Sequence, residues 1–222
     1  MSKHLLFDLD GTLMDTAADF TKVLNRQLEK HGREQVSYEQ VRQTVSDGAR
    51  ALVRLGYGID ESDPAFNAYL QELLDAYSEQ IGQTEASLFS GIEHMLQDIA
   101  ASQFQWGIVT NKPSRFTTPL LENFPLLSAS AVVVCADHLS RSKPDPEGLM
   151  LACQTLGCEA DQCIYIGDHL RDVEAGKNAG MMTVAVSWGY FPPGTRLEDW
   201  QADLIVSSPQ EISDYVFGKR HV

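Results

Sequence analysis

Asp8 and Asp10 stand two residues apart in Asp8-Leu9-Asp10-Gly11-Thr12-Leu13, directly after the apolar run Leu5-Leu6-Phe7. Two unit charges about 4 Å apart repel by roughly 4 kcal/mol at an effective dielectric near 20, so such a pair calls for a bound cation. Three further polar stretches also follow short apolar runs: Thr110-Asn111-Lys112, Ser142-Lys143-Pro144-Asp145-Pro146, and Gly167-Asp168-His169-Leu170-Arg171-Asp172. Their combined inventory is a nucleophile, a second acid, a hydroxyl, a lysine, and two carboxylates one helical turn apart on one face. Those groups suit a site that handles a phosphate oxygen beside a metal ion. Each stretch also has an ordinary reading: an Asp-Gly turn, a Thr110 helix N-cap, an exposed Lys143, and acids favoured at a helix start. Coincidence of all four is what makes the pattern specific.

Elements capable of gathering these residues are legible as short β-rich runs: Leu5-Leu6-Phe7, Trp106 to Val109, Val132-Val133-Val134, Ile164-Tyr165-Ile166 and Val184-Ala185-Val186. Such runs suit strands buried on both faces, and amphipathic segments between them predict a parallel, doubly wound α/β sheet. Helical stripes include Ile92, Met95, Leu96 and Ile99, and Leu149, Met150, Cys153 and Leu156, the latter ended by Gly157. Leu204-Ile205-Val206 predicts an added edge strand.

From about residue 16 to about residue 86 the pattern is helical throughout. Phe20, Val23, Leu24 and Leu28 form one stripe, Ser37 and Gln40 have capping-box spacing, and Asp63-Pro64 offers an N-cap and N1 proline before Phe66, Leu70, Leu73, Leu74 and Tyr77. The expected organisation is therefore an α/β core of residues 1–15 and 87–222 with a helical bundle, 16–86, inserted after the first strand. A bundle there is expected to cover the carboxyl edge of the sheet, where open α/β sheets bind ligands, the alternative being that the insert only packs and covers nothing.

The chain has 17 Lys and Arg against 31 Asp and Glu, a formal net charge of -14. Such a field disfavours nucleic acid and anionic membranes as partners, and obliges any phosphate site to carry its own positive charge. Cys135, Cys153, Cys158 and Cys163 include no Cys-x-x-Cys pair, which predicts buried reduced thiols rather than a zinc or redox site. With Asp8 interrupting the first apolar run, no stretch of signal-peptide length stands at the start, so the expected location is the cytoplasm.

With these residues in view, the chain resembles the haloacid dehalogenase-like hydrolases, specifically their phosphatases with a helical cap after the first strand. The signatures are Asp8-x-Asp10-Gly-Thr-Leu, Thr110, Lys143 and Gly167-Asp168-x-x-x-Asp172, in the family's order. The resemblance implies a Rossmann-like sheet of order 5-4-1-2-3. It implies Asp8 as nucleophile through an aspartyl phosphate, and Asp10 as the acid and then the base. It also implies Thr110, Asn111 and Lys143 on the phosphate oxygens, with Mg²⁺ held by Asp8, the Asp10 carbonyl and Asp168. Asp172 is then a Lys143 partner or lies behind the ligands. Arg50, in Ser46-Asp47-Gly48-Ala49-Arg50, is a substrate-binding candidate for a carboxylate or sugar hydroxyl, or else a solvated loop arginine.

Within the family the chain is similar to phosphoglycolate phosphatases and more similar to N-acetylmuramic acid 6-phosphate phosphatases of cell-wall (peptidoglycan) recycling. The stretches concerned are Ser46 to Arg50, Thr110 to Phe116, Ser142 to Pro146, Leu170 to Gly176, and Gly189-Tyr190. The expected partner is a small phosphorylated metabolite, and the assembly a monomer or homodimer. A sugar phosphomutase keeps the same four motifs. A receiver-like phosphoacceptor would lack the insert, and a dehalogenase would leave Asp10 and Asp168 without a task.

Overall fold

The structure, a computed structural model, describes residues 4–218. Its main sheet is parallel and six-stranded. In chain order the strands among the described residues are β1 His4–Phe7, β2 Met14–Asp15, β3 Ser87–Leu88, β4 Gln105–Val109, β5 Val132–Val134, β6 Cys163–Gly167, β7 Met182–Val186 and β8 Leu204–Val206. The main sheet has the order β5-β4-β1-β6-β7-β8, and β2 pairs with β3 separately. Numbering its six strands by sequence, the order is 6-5-4-1-2-3: the expected five-strand order with the Leu204–Val206 strand added at one edge. Central strands are apolar along their length because both faces are covered; Leu5, Leu6, Phe7, Ile108 and Ile166 are at most 1% exposed.

Helices α1 Ala17–Lys30, α2 Tyr38–Arg42, α3 Ala49–Tyr57 and α4 Phe66–Gln80 come first. They are followed by α5 Ile92–Ala100, α6 Ser114–Glu122, α7 Pro125–Ser128, α8 Glu147–Leu156, α9 Leu170–Ala179 and α10 Pro209–Phe217. Ile92, Met95, Leu96 and Ile99 are all buried, as their period requires. Met150 departs from its expected stripe and is 48% exposed, because at one position past Leu149 it turns away from the sheet.

The described residues divide into two compact units, 4–14, 88–189 and 196–218, and 15–87 and 190–195. The first contains the sheet. The second is helical and has its own core, with Phe20 stacked on Tyr77 at a centroid distance of 4.0 Å and Tyr57 on Tyr69 at 3.9 Å. Its buried Asp19 accepts from Gln80 Nε2, Thr84 Oγ1 and the Glu85 amide, so the carboxylate replaces the solvent it loses. Ser37 and Gln40 form the reciprocal capping box, the Gln40 amide donating to Ser37 Oγ at 3.2 Å and the Ser37 amide to Gln40 Oε1 at 2.8 Å. Pro64 is not the first helical residue: Asp63 Oδ1 accepts from the Ala65 amide at 2.8 Å, and α4 begins only at Phe66. Residues 190–195 join this unit through the Tyr190 hydroxyl, which accepts from the Thr16 amide at 2.7 Å and donates to Asp15 Oδ1 at 2.9 Å. Among the described residues no helix is long and apolar enough to cross a membrane.

Candidate active site

β1 is extended by one more ladder bond, from the Asp8 amide to the Ile166 carbonyl at 2.9 Å, which fixes Asp8 at the strand's carboxyl end. The chain then folds tightly, with the amides of Leu13 and Met14 both donating to the Leu9 carbonyl at 3.0 Å. Gly11 turns with φ +85°, and a Cβ there would lie 2.1 Å from Asp168 Oδ2. Only glycine lets the loop pass that carboxylate. The next residue exploits the approach, since Thr12 Oγ1 donates to Asp168 Oδ1 at 2.9 Å. Gly189 flanks Asp168 from the other side, where a Cβ would come within 2.2 Å of the aspartate Cβ.

At the tip of β4, Thr110 is 2% exposed and its hydroxyl accepts from the Lys112 amide at 3.1 Å. It does not cap a helix, for α6 starts at Ser114. Asn111 binds the backbone of Lys143 reciprocally: Nδ2 donates to the Lys143 carbonyl at 3.2 Å, and the Lys143 amide donates to Oδ1 at 3.1 Å. That pair ties the β4 tip to the loop following β5. Lys112 places its ammonium 2.9 Å from Asp10 Oδ1.

Lys143 is 6% exposed, so the reading of it as a surface lysine is excluded. Its Nζ donates to Asp172 Oδ1 at 2.7 Å, Tyr165 Oη at 2.8 Å and the Val109 carbonyl at 3.1 Å, and lies 2.9 Å from Asp8 Oδ1. Burial alone would depress its pKa, but Asp172 and Asp8 beside it outweigh that and hold it above the ordinary lysine value. Asp172 Oδ2 meanwhile accepts from the His169 amide at 3.0 Å, so this acid also caps α9. For Asp8 burial prevails over Lys143, and its carboxyl is pushed from 3.8 to about 6.

Oxygens of Asp8, Asp168 and Asp172 all lie within 4.8 Å of one another. Counting Asp10, Lys112 and Lys143 as well, four carboxylates face two ammonium groups and leave two negative charges. An all-oxygen donor set with that charge fits a hard divalent cation. Asp172 accepts hydrogen bonds on both oxygens, from Lys143 Nζ and Tyr165 Oη on Oδ1 and from the His169 amide on Oδ2.

The sheet unit thus brings together Asp8, Asp10, Thr110, Asn111, Lys143, Asp168 and Asp172. Arg50 belongs to the helical unit, where it is exposed and holds its guanidinium 6.0 Å from the Phe66 ring centroid. Sequence reasoning missed Lys112, Thr12 and Tyr165. Lys112 had a usable signal, a cation two residues past Thr110; Tyr165 had none, because a tyrosine inside a buried strand reads as core.

Residues 5–186 match the family described as haloacid dehalogenase-like hydrolase. N-acetylmuramic acid 6-phosphate phosphatase of Pseudomonas aeruginosa is 42% identical over 96% of this chain and 93% of its own length. A phosphoglycolate phosphatase of Xanthomonas campestris is 38% identical over 95% of this chain and 94% of its own. Among solved structures, a predicted phosphoglycolate phosphatase from Haemophilus somnus superposes with a TM-score of 0.85 at 22% identity, covering 97% of this chain and 98% of that one.

Proposed function

Because the chain belongs to the haloacid dehalogenase-like hydrolases and is a phosphatase of that family, we propose that it hydrolyses a small phosphomonoester through Asp8, with N-acetylmuramic acid 6-phosphate as substrate. One observation carries the mechanism: the buried Lys143 ammonium lies 2.9 Å from Asp8 and 2.7 Å from Asp172, beside the Asp8, Asp168 and Asp172 oxygens. A nucleophilic carboxylate is there flanked by a fixed cation and by oxygen ligands for a second one.

Mg²⁺ would be held by Asp8, Asp168 and the Asp10 backbone carbonyl. When bound it supplies positive charge to the phosphoryl oxygens. Asp8 attacks phosphorus as the bond to the leaving oxygen breaks, and Asp10 gives that oxygen a proton. Asp10 then takes a proton from the water that attacks the aspartyl phosphate, releasing inorganic phosphate and restoring Asp8. Thr110, Asn111, Lys143 and Lys112 contribute a hydroxyl, amide groups and two cations for the equatorial oxygens. Such local charge answers the repulsion expected from a net charge of -14. The helical unit acts as the cap in this reading, and Arg50 is its candidate for the substrate carboxylate.

Chelation should abolish turnover and added Mg²⁺ restore it; activity that survives a chelator would instead favour metal-free dehalogenase chemistry. Gly189→Ala should displace Asp168, cost about 1–3 kcal/mol as an overpacking change, and raise the Mg²⁺ concentration needed for half-maximal activity. An unchanged Mg²⁺ dependence in the folded variant would remove Asp168 from the ligand set.

For the substrate, the support is the 42% identity to the amino-sugar phosphatase against 38% to the phosphoglycolate enzyme. Phosphoglycolate is the second reading. Comparing kcat/KM with Mg²⁺ on N-acetylmuramic acid 6-phosphate, phosphoglycolate and several hexose phosphates decides between them. Conversion of a hexose phosphate to an isomer without free phosphate would reveal a phosphomutase.

A further inference from the structure

Three of the protein's four thiols meet at the opposite end of β6 from Asp168. Cys163 Sγ lies 3.6 Å from Cys153 Sγ and 3.5 Å from Cys158 Sγ, and all three sulfurs fall within 4.8 Å of one another. They come from one short segment, Cys-x₄-Cys-x₄-Cys, and local geometry brings them together. Helix α8 ends with Gly157 left-handed at φ +68°, and the Cys158 amide donates back to the Cys153 carbonyl at 3.1 Å. This 6→1 bond is the Schellman closure, which stacks Cys158 against Cys153. A turn across Glu159–Gln162, joined by the Glu159 amide to Gln162 Oε1 at 3.2 Å, then delivers Cys163 to the start of β6.

Ligands about 2.3 Å from a common ion stand about 3.8–4.0 Å apart, so these sulfurs need to move only by tenths of an ångström to share one. Cys153 and Cys163 are at most 3% exposed, while Cys158 is half-buried and leaves the cluster approachable from one side. Among the described residues no His, Asp or Glu side chain joins the three within that distance. A structural Zn²⁺ site wants four ligands; a three-sulfur set in apolar surroundings suits a softer ion of lower coordination number.

We propose that Cys153, Cys158 and Cys163 form a trithiolate site for a soft thiophilic d¹⁰ cation, with Cu⁺ the best match, separate from the Mg²⁺ centre. Binding forms three metal–sulfur bonds and releases the thiol protons to solvent. With five residues of strand, about 16 Å, between Cys163 and Asp168, the bound ion touches no reacting group. Its direct consequence is to fasten the end of α8 to the start of β6.

The test is anaerobic titration of the reduced full-length protein with Cu⁺ held by a chromogenic competing chelator, in the presence of excess Mg²⁺. The expected result is one Cu⁺ per chain with thiolate-to-metal charge-transfer absorption. Cys158→Ser, the least buried of the three, should lower the affinity at least about a hundredfold, since losing a ligand costs more than losing a group that only orients one. Cys135→Ser should bind as the parent does. Circular dichroism and the metal-free melting temperature check that both variants fold, and Cys158→Ala provides a second removal of the same ligand. Failure to take Cu⁺ from the chelator, equal affinity in the folded Cys158 variants, or closure of a disulfide among the three thiols with no metal uptake would overturn the proposal.

Discussion

Asp8→Asn is expected to reduce kcat by more than about a thousandfold, as loss of an attacking group does elsewhere, while the folded protein remains. An amide oxygen is a poor nucleophile, and the remaining side chains offer no second one at that strand tip. Stability should move in the opposite direction. In the metal-free protein the Asp8 carboxyl is held at about 6 instead of 3.8, chiefly because burial strips its water, with Lys143 only partly offsetting this. Between about pH 4 and pH 6 the folded chain therefore keeps a proton that the unfolded chain has released, and stability falls as pH rises through that window. Asparagine has no proton to lose, so the variant should show a flatter pH profile there and be at least as stable as the parent near neutrality. Mg²⁺ should raise the parent's melting temperature and that of the variant far less, because binding to the folded form alone is what stabilises. Parallel pH profiles, or near-parental turnover, would refute the role given to Asp8.

The convergence of strand tips was legible because a parallel sheet covered on both faces produces uninterrupted apolar runs, and the polar residue ending each run must emerge at the same edge. Leu5-Leu6-Phe7 before Asp8 and Ile164-Tyr165-Ile166 before Asp168 are of this kind. The capping box at Ser37 and Gln40 was legible for a similar reason: its partners lie three residues apart, so the motif is contained in the string. Features that depend on distant partners were not. Tyr190 joins the helical unit through hydrogen bonds to Asp15, Thr16 and Ala17, some 175 residues earlier, which no local pattern reports.

Chemistry was harder to read than topology wherever a residue type has a common structural use. Tyr165 supports Lys143 from within a strand whose other members are plain core. The thiols illustrate the same limit. A spacing of five residues matches no zinc signature, and only the left-handed turn at Gly157 carries Cys158 back over the preceding helix. Burial was expected of all four cysteines and holds for Cys135, Cys153 and Cys163, but Cys158 is half-buried, and Cys153, Cys158 and Cys163 cluster with one another while Cys135 lies beside Asp137 and His138.

Lys143→Met separates what the buried cation does for folding from what it does for turnover. Methionine approximates the lysine's volume, so the change removes charge and hydrogen bonds with little cavity. Asp172 and Asp8 lose their shared partner, and the Tyr165 hydroxyl loses a donor at 2.8 Å. Breaking a buried pair by removing one member costs about 3–5 kcal/mol, which for a chain of this size is a fall in melting temperature of about 10 °C. Activity should drop below about 1% of the parent, since the phosphoryl oxygens lose a preorganised cation worth a factor of at least about a hundred. Adding Asp172→Asn to that variant should recover much of the stability, because the amide oxygen can still accept from the His169 amide while no unpaired charge remains at that position. It should recover none of the turnover. If the double variant regained activity together with stability, Lys143 would be a structural counter-ion for Asp172 and its place on the phosphate would be withdrawn.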